Sequence, residues 1–274
     1  MKIRIEFSQI VTIAAKEFRD RIRNRWVLAV AIALTGFALA IAYFGAAQQG
    51  SVGLRGIDVT IASLVSLVIY LVPLIALILG YDAIVGEREK GSLALLLSMP
   101  ITRTELLLGK FTGLAAALAA STLLGFGLVG VLLGYRLGGS ALLHYALFMG
   151  SSVLLGLAFL SMASLVSVLA ASRMGASGLA IVLWFFFALV YDLLLLGLLV
   201  ASNGRLATSA FTALLLLNPA DIFRILNIFG FEDVGKLYGL AAAVPDTLVN
   251  PALLGTAMLL WIFVPLGLAV WRFK

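Results

Sequence analysis

Long apolar runs separated by short polar breaks make up almost the whole chain. The runs fall at about residues 26–47, 59–81, 111–134, 144–171, 177–200 and 253–271. Each reaches the length, about 20 residues, that a helix needs to cross a hydrocarbon core of about 30 Å. Lipid offers backbone groups no water to bond with, so the pattern predicts six transmembrane helices. The short period-two segments of a membrane barrel are absent. Ahead of the first run, Phe7, Val11, Ala14, Phe18 and Ile22 recur at helical spacing, while Lys16, Arg19 and Arg23 fall on other faces. Residues 1–25 therefore predict an amphipathic helix lying along the membrane surface. The fold class is an all-α polytopic membrane protein with a single domain over 1–274.

The breaks are unequal. Those at 48–58, 135–143 and 172–176 are short and contain Gly or Ser, whereas 82–110 and 202–251 are long. Long connections on opposite sides suggest two docking surfaces linked by the spans. Composition agrees: of 274 residues, 63% are hydrophobic and 12% charged, against about 25% charged in soluble domains. Cysteine is absent, which excludes disulfides and thiolate metal sites and says nothing of compartment. Charges from Lys2 to Arg25 and the length of the first run argue against a cleavable signal peptide. With six spans both termini share a side, and 14 of the 19 Lys and Arg lie on it. The positive-inside bias makes that side cytoplasmic and segment 202–252 periplasmic.

The stretch EREKGSLALLLSMPITRTELLLGK (87–110) concentrates charge in an apolar chain. Glu87 and Lys90 are spaced to pair on one helix face. Gly91 interrupts the helix or admits another backbone. Leu93, Leu96 and Leu97 supply an apolar ridge. Pro100 stops the helix and pushes Met99 toward an extended conformation, and Thr102 or Thr104 can cap the next helix. Such an element suits a groove in a soluble partner, where apolar anchors supply energy and charges fix register.

Glu87-Arg88-Glu89, Gly91-Ser92, the leucines, Pro100, Arg103 and Gly109-Lys110 resemble the signature of ABC-2-type permeases. The similarity extends along the chain: the amphipathic entry helix, six spans, and the helical external segment that LLLLNPADIFRI (214–225) matches. It is greatest with the permeases that serve nitrous oxide reductase maturation in denitrifying bacteria. The resemblance implies a coupling role for Glu87, Arg88, Glu89, Lys90, Gly91, Ser92, Leu93, Leu96, Pro100 and Arg103 against a separate cytoplasmic ATPase, which would carry the ATP and Mg²⁺. It implies a periplasmic accessory protein, for which Asn218, Pro219, Asp221, Phe223 and Arg224 are docking candidates. It also implies assembly of the reductase's copper–sulfur centre, in a bacterial inner membrane.

Other motifs change the picture little. NPA occurs at 218–220 and 250–252, but both copies lie between spans five and six. Aquaporin motifs sit in opposite halves of an inverted repeat, so Asn-Pro helix starts are the better account. GFEDVGKL (230–237) lacks the hydroxyl residue and preceding strand of a phosphate loop, so the chain is expected to hold no nucleotide and to be no enzyme itself. His144 is the single histidine, and the methionines at 99, 149, 162, 174 and 258 are scattered. Copper is held by His, Cys or Met clusters, so no metal site is expected and the cargo is read as a sulfur species, or as force alone. Asp192 sits inside span five, a candidate for a pore, dimer-interface or proton role, or for a hydrogen bond to a neighbouring Tyr or Ser. Gly109–Gly113 and Gly130–Gly134 have the spacing for close helix packing and fit a homodimer. No nucleic-acid partner is expected; lipid surrounds the spans. The rival reading is a stand-alone channel or proton-coupled carrier using Asp192.

Overall fold

A computed structural model describes residues 6–44, 57–137, 139–203, 207–228 and 250–273; GFEDVGKL lies outside them. The described residues contain helices and no strand. Helix α1 (Phe7–Arg23) is followed by α2 (Trp26–Phe44), α3 (Ile57–Gly80), two short helices α4 (Val85–Glu89) and α5 (Ser92–Ser98), α6 (Arg103–Leu137) and α7 (Gly139–Leu169). Then come α8 (Arg173–Phe185), a π-helical turn (Phe186–Val190) and α9 (Tyr191–Ala201), which together make one crossing. Helices α10 (Thr208–Leu216), α11 (Pro219–Ile228) and α12 (Pro251–Arg272) complete the order. Six crossings are long and apolar enough to span a membrane, and α10–α11 form an additional apolar pair bent by 107° at its break.

Helix α7 is the axis of the bundle, with 72% of its most apolar stretch buried against α3, α6, α11 and α12. Lipid gives no hydrophobic drive for helices to associate, so packing and interhelical hydrogen bonds must do so. Phe126, Tyr145, Phe148, Phe159 and Phe223 fill the centre. Ser161 of α7 donates to the Ile262 carbonyl of α12.

Helix α6 departs from the expected 111–134 span. Its 35 residues extend about 52 Å, longer than the hydrocarbon core is thick, and it begins eight residues before the expected span. The cause is local: Thr102 and Glu105 form a capping box. The Thr102 hydroxyl accepts from the Glu105 N–H at 3.1 Å, and the Glu105 carboxylate accepts from the Thr102 N–H at 2.6 Å. Thr102, not Thr104, starts the helix. The other Glu105 oxygen accepts from the Glu6 N–H at 2.6 Å, anchoring the start of α1.

Helix α1 lies along that extension. A Cβ on Gly113 would sit 2.6 Å from the Ala14 carbonyl, and one on Gly109 would sit 2.7 Å from Ile13 Cβ. Glycine at both positions is what lets α1 seat there. A Cβ on Gly130 would meet Tyr145 at 2.8 Å and one on Gly134 would meet Leu142 at 3.2 Å, both on α7. Both glycine pairs expected to favour a homodimer are thus occupied within one chain. Ala14 of the expected apolar stripe turns to α6, while Phe7, Val11 and Ile22 remain exposed.

Candidate coupling site

The segment between α3 and α6 folds as its residue types dictate. Ser167 of α7, fully buried, accepts the N–H groups of Ile84 at 2.8 Å and Val85 at 3.1 Å. It thereby satisfies donors that the start of α4 leaves without partners. Gly91 adopts φ +73°, a left-handed conformation with open space around it. It breaks α4 from α5 and is not a point of close approach. Met99 is extended (φ −75°, ψ 160°) before Pro100.

The three charged residues opening the segment each take a different neighbour. Glu87 accepts from the Lys110 ammonium of α6 at 3.1 Å and from the Ser92 hydroxyl. Arg88 donates to the Ala170 carbonyl at 3.0 Å and the Val168 carbonyl at 3.3 Å, closing the C-terminal end of α7. Glu89 accepts the Arg173 N–H at 2.7 Å, at the first residue of α8. Lys110 also reaches Glu17 of α1 at 3.2 Å, and Glu17 keeps Arg21 at 3.5 Å. Glu87 therefore pairs with Lys110, 23 residues on, and not with Lys90, which is exposed. Burial pushes the Glu87 carboxyl up, but the Ser92 hydroxyl and the Lys110 ammonium outweigh it and hold it below the usual carboxylate range. Asp82, in the turn before α4, binds the Arg173 guanidinium through both oxygens at 2.6 and 2.8 Å.

The leucine ridge faces inward. Leu93, Leu96 and Leu97 pack against a cluster of Ile84, Leu106, Leu107, Val168, Ala269 and Phe273. Leu95 and Met99 are the large apolar side chains of the segment that are exposed, at 69% and 56%. The leucines expected as anchors are thus partly buried within the chain, and the outward pair is Leu95 and Met99. Helical spacing holds the signal, since Leu95 and Met99 are four apart on one face. Arg103 stacks over the Phe273 ring at 5.9 Å, joining the start of α6 to the chain's last helix.

The second polar constellation lies toward the other end of the bundle. The expected docking residues are turned inward there: Asn218, Pro219, Asp221 and Phe223 are buried, and the Arg224 side chain is largely so. Helix α11 inserts between α3, α7 and α12, which its apolar residues Ile222, Phe223, Ile225 and Ile228 permit. Its polar row satisfies itself. Arg224 binds Asp221 at 2.5 Å and Asp192 at 2.7 Å, and Asn218 donates to Asp221 at 3.0 Å. Asn218 also donates to the Phe187 carbonyl at 3.1 Å, in the π-helical turn of span five. A π-turn frees carbonyls from the regular helical ladder and recurs at functional sites. The partner of Asp192 is thus an arginine, not Tyr or Ser. Both Asn-Pro pairs start helices: Asn218 accepts the Ala220 N–H at 2.9 Å and Asn250 the Ala252 N–H at 3.0 Å.

Residues 11–274 match the profile of the ABC-2 family transporter proteins. Two relatives are similar over nearly their whole length, both named "Probable ABC transporter permease protein NosY". The one from Stutzerimonas stutzeri is 45% identical over 271 residues, 97% of this chain and 98% of the relative. That from Pseudomonas aeruginosa is 45% identical over 267 residues, 96% of this chain and 97% of the relative. Permeases of this kind are membrane subunits that work with a cytoplasmic ATPase. Six apolar crossings and this kinship make the chain a multi-pass protein of the bacterial inner membrane, and it belongs to the ABC-2 family of transporters.

Proposed function

We propose that this permease transmits ATP hydrolysis by a separate cytoplasmic ATPase through α4–α5 into the bundle. The observation that carries the reading is the division of Glu87, Arg88 and Glu89 among α6, α7 and α8. A load applied to α4–α5 is shared by three spans at once, and by α1 through Lys110. Leu95 and Met99 are the apolar anchors offered to the ATPase, with Lys90 beside them; Gly91, Ser92, Leu93, Leu96, Pro100 and Arg103 shape the element from behind. The α4–α5 end, with both termini, is the cytoplasmic one, as the excess of Lys and Arg on that side supports. ATP and Mg²⁺ belong to the partner ATPase, and this chain binds no cofactor.

Two copies form the working unit, by surfaces other than the glycine pairs. Kinship with the NosY permeases supports a role in nitrous oxide reductase maturation, in which work reaches a periplasmic accessory protein for assembly of the copper–sulfur centre. The cargo is a sulfur species or force, not copper. Radiolabelled copper entering ATP-fed vesicles of the purified complex would count against it.

The coupling assignment is tested by co-purifying the ATPase with Leu95→Arg. Burying a Leu is worth about 1.5–3 kcal/mol, so retention falls about tenfold or more while the permease elutes as before. Unchanged retention in Leu95→Arg and Met99→Arg alike sinks the assignment.

A further inference from the structure

At the α4–α5 end, a recess of about 500 Å³ opens where the coupling segment meets the ends of α7 and α12. That volume falls within the roughly 300–1,000 Å³ typical of small-ligand sites. Among the described residues, three with guanidinium groups line it, Arg88, Arg103 and Arg272, and no Asp or Glu does. Its apolar wall includes Leu93, Leu97 and Phe273. Arg88 spends one N–H from each terminal nitrogen on neutral carbonyls, leaving its charge uncompensated and further donors of its five available. Among the described residues, neither Arg88 nor Arg272 pairs with a carboxylate.

We propose that this recess binds the phosphate of an anionic phospholipid, whose acyl chains follow α12. Three guanidiniums suit a phosphate, because planar N–H forks match its oxygens and guanidinium is weakly hydrated. The position argues for lipid as the source. The recess lies at the ends of two crossing helices, α7 at Leu169 and α12 at Arg272, which is headgroup depth. Leu268, Val264 and Leu260 stand at successive four-residue steps back from Arg272, and all three are exposed. That row gives an acyl chain an apolar track leading from the phosphate into the hydrocarbon. Exposed Trp271 adjoins it, the residue type enriched at membrane interfaces. A carboxylate of a soluble partner would match the charges and leave the track unused. The lipid would bind Arg88 of the coupling segment, Arg103 at the start of α6 and Arg272 at the end of α12, adding a shared anion to the apolar contacts, the Arg103–Phe273 stack and the Glu87–Lys110 ion pair between those elements. The site stands independently of the ATPase reading.

The test uses the full chain in phosphatidylcholine nanodiscs, with and without phosphatidylglycerol, followed by release into detergent and native mass spectrometry. Wild type retains phosphatidylglycerol over phosphatidylcholine. A basic residue near the surface contributes roughly 1 kcal/mol toward anionic lipid, so Arg272→Gln weakens that preference about fivefold, and Arg272→Lys restores most of it. Equal retention of both lipids by the wild type overturns the proposal, as does a preference untouched by Arg272→Gln. Displacement of the lipid by inorganic phosphate at matched concentration assigns the site to free phosphate and overturns the lipid source. Loss of the ATPase from Arg272→Gln in lipid-free detergent assigns it to a partner carboxylate and also overturns the proposal.

Discussion

Lys110→Met tests whether the charges between α1, α4 and α6 hold that end of the bundle together. The ammonium is 6% exposed and bridges Glu17 and Glu87 at 3.2 and 3.1 Å. Methionine keeps much of the length and apolar stem and deletes the charge. Removing one member of a buried ion pair costs about 3–5 kcal/mol, because the charge left behind is buried without compensation. Two features set the value at the lower end. Glu17, 9% exposed, keeps Arg21; Glu87, 25% exposed, keeps Ser92 and some water. A loss of about 3 kcal/mol lowers the thermal midpoint by about 6–12 °C if membrane proteins of this length follow the scaling of large soluble domains. The assay is thermal unfolding of the purified full-length chain in one detergent, followed by tryptophan fluorescence and by size exclusion. Replacing the whole charged group, Glu17→Gln with Glu87→Gln and Lys110→Met, recovers most of the loss, since apolar or neutral substitutes for a complete buried ion set are often tolerated. A midpoint for Lys110→Met indistinguishable from wild type refutes the reasoning. A triple variant as unstable as the single one shows that packing, not charge, was lost.

Glu87 carries a pH dependence whose sign follows from its lowered folded-state value. Its stabilisation is present above the ordinary carboxylate value of 4.5 and is lost as pH falls through the lowered one. The midpoint difference between wild type and Glu87→Gln should therefore hold from neutral pH to about 5 and shrink in more acidic solution; a difference that grows on acidification contradicts this. At the other constellation, Arg224→Gln leaves Asp192 and the 2% exposed Asp221 without their cation and should cost about 3–5 kcal/mol. Adding Asp192→Asn should recover part of that in the same unfolding assay, and full independence of the two substitutions would break the proposed pairing.

One helix serves both constellations. Ser167 near one end of α7 accepts the first N–H groups of α4, and Ser151 on the same helix exchanges hydrogen bonds with Asn227 of α11 at 3.0 and 3.1 Å. Sixteen residues separate them, about 24 Å along a helix. Both serines are fixed to one stiff element, so tilting α7 against its neighbours strains both contacts together. Under the coupling reading, that geometry gives work done at α4–α5 a mechanical route to the buried α11 without any moving loop.

The sequence exposed the spans because lipid imposes one requirement on every residue of a crossing helix, and apolar length answers it. It also exposed the break at Gly91 and the extended Met99, since glycine and proline act within a residue or two of themselves. It misplaced features decided by partners far along the chain. The pairing of Glu87 with Lys110 across 23 residues outweighs the nearer Lys90, because Lys110 is brought in on a helix that Thr102 and Glu105 start early. The family resemblance implies a docking role for the polar residues of α11, whereas the helix is buried. Yet Asn218, Asp221 and Arg224 stand three apart, so each polar side chain finds the next, and Asp192 in a lipid-facing span requires a cation from somewhere. A row of polar residues that can satisfy its own members is compatible with burial, and an intramembrane carboxylate without a basic neighbour in its own span is the sign that such a row has been buried beside it.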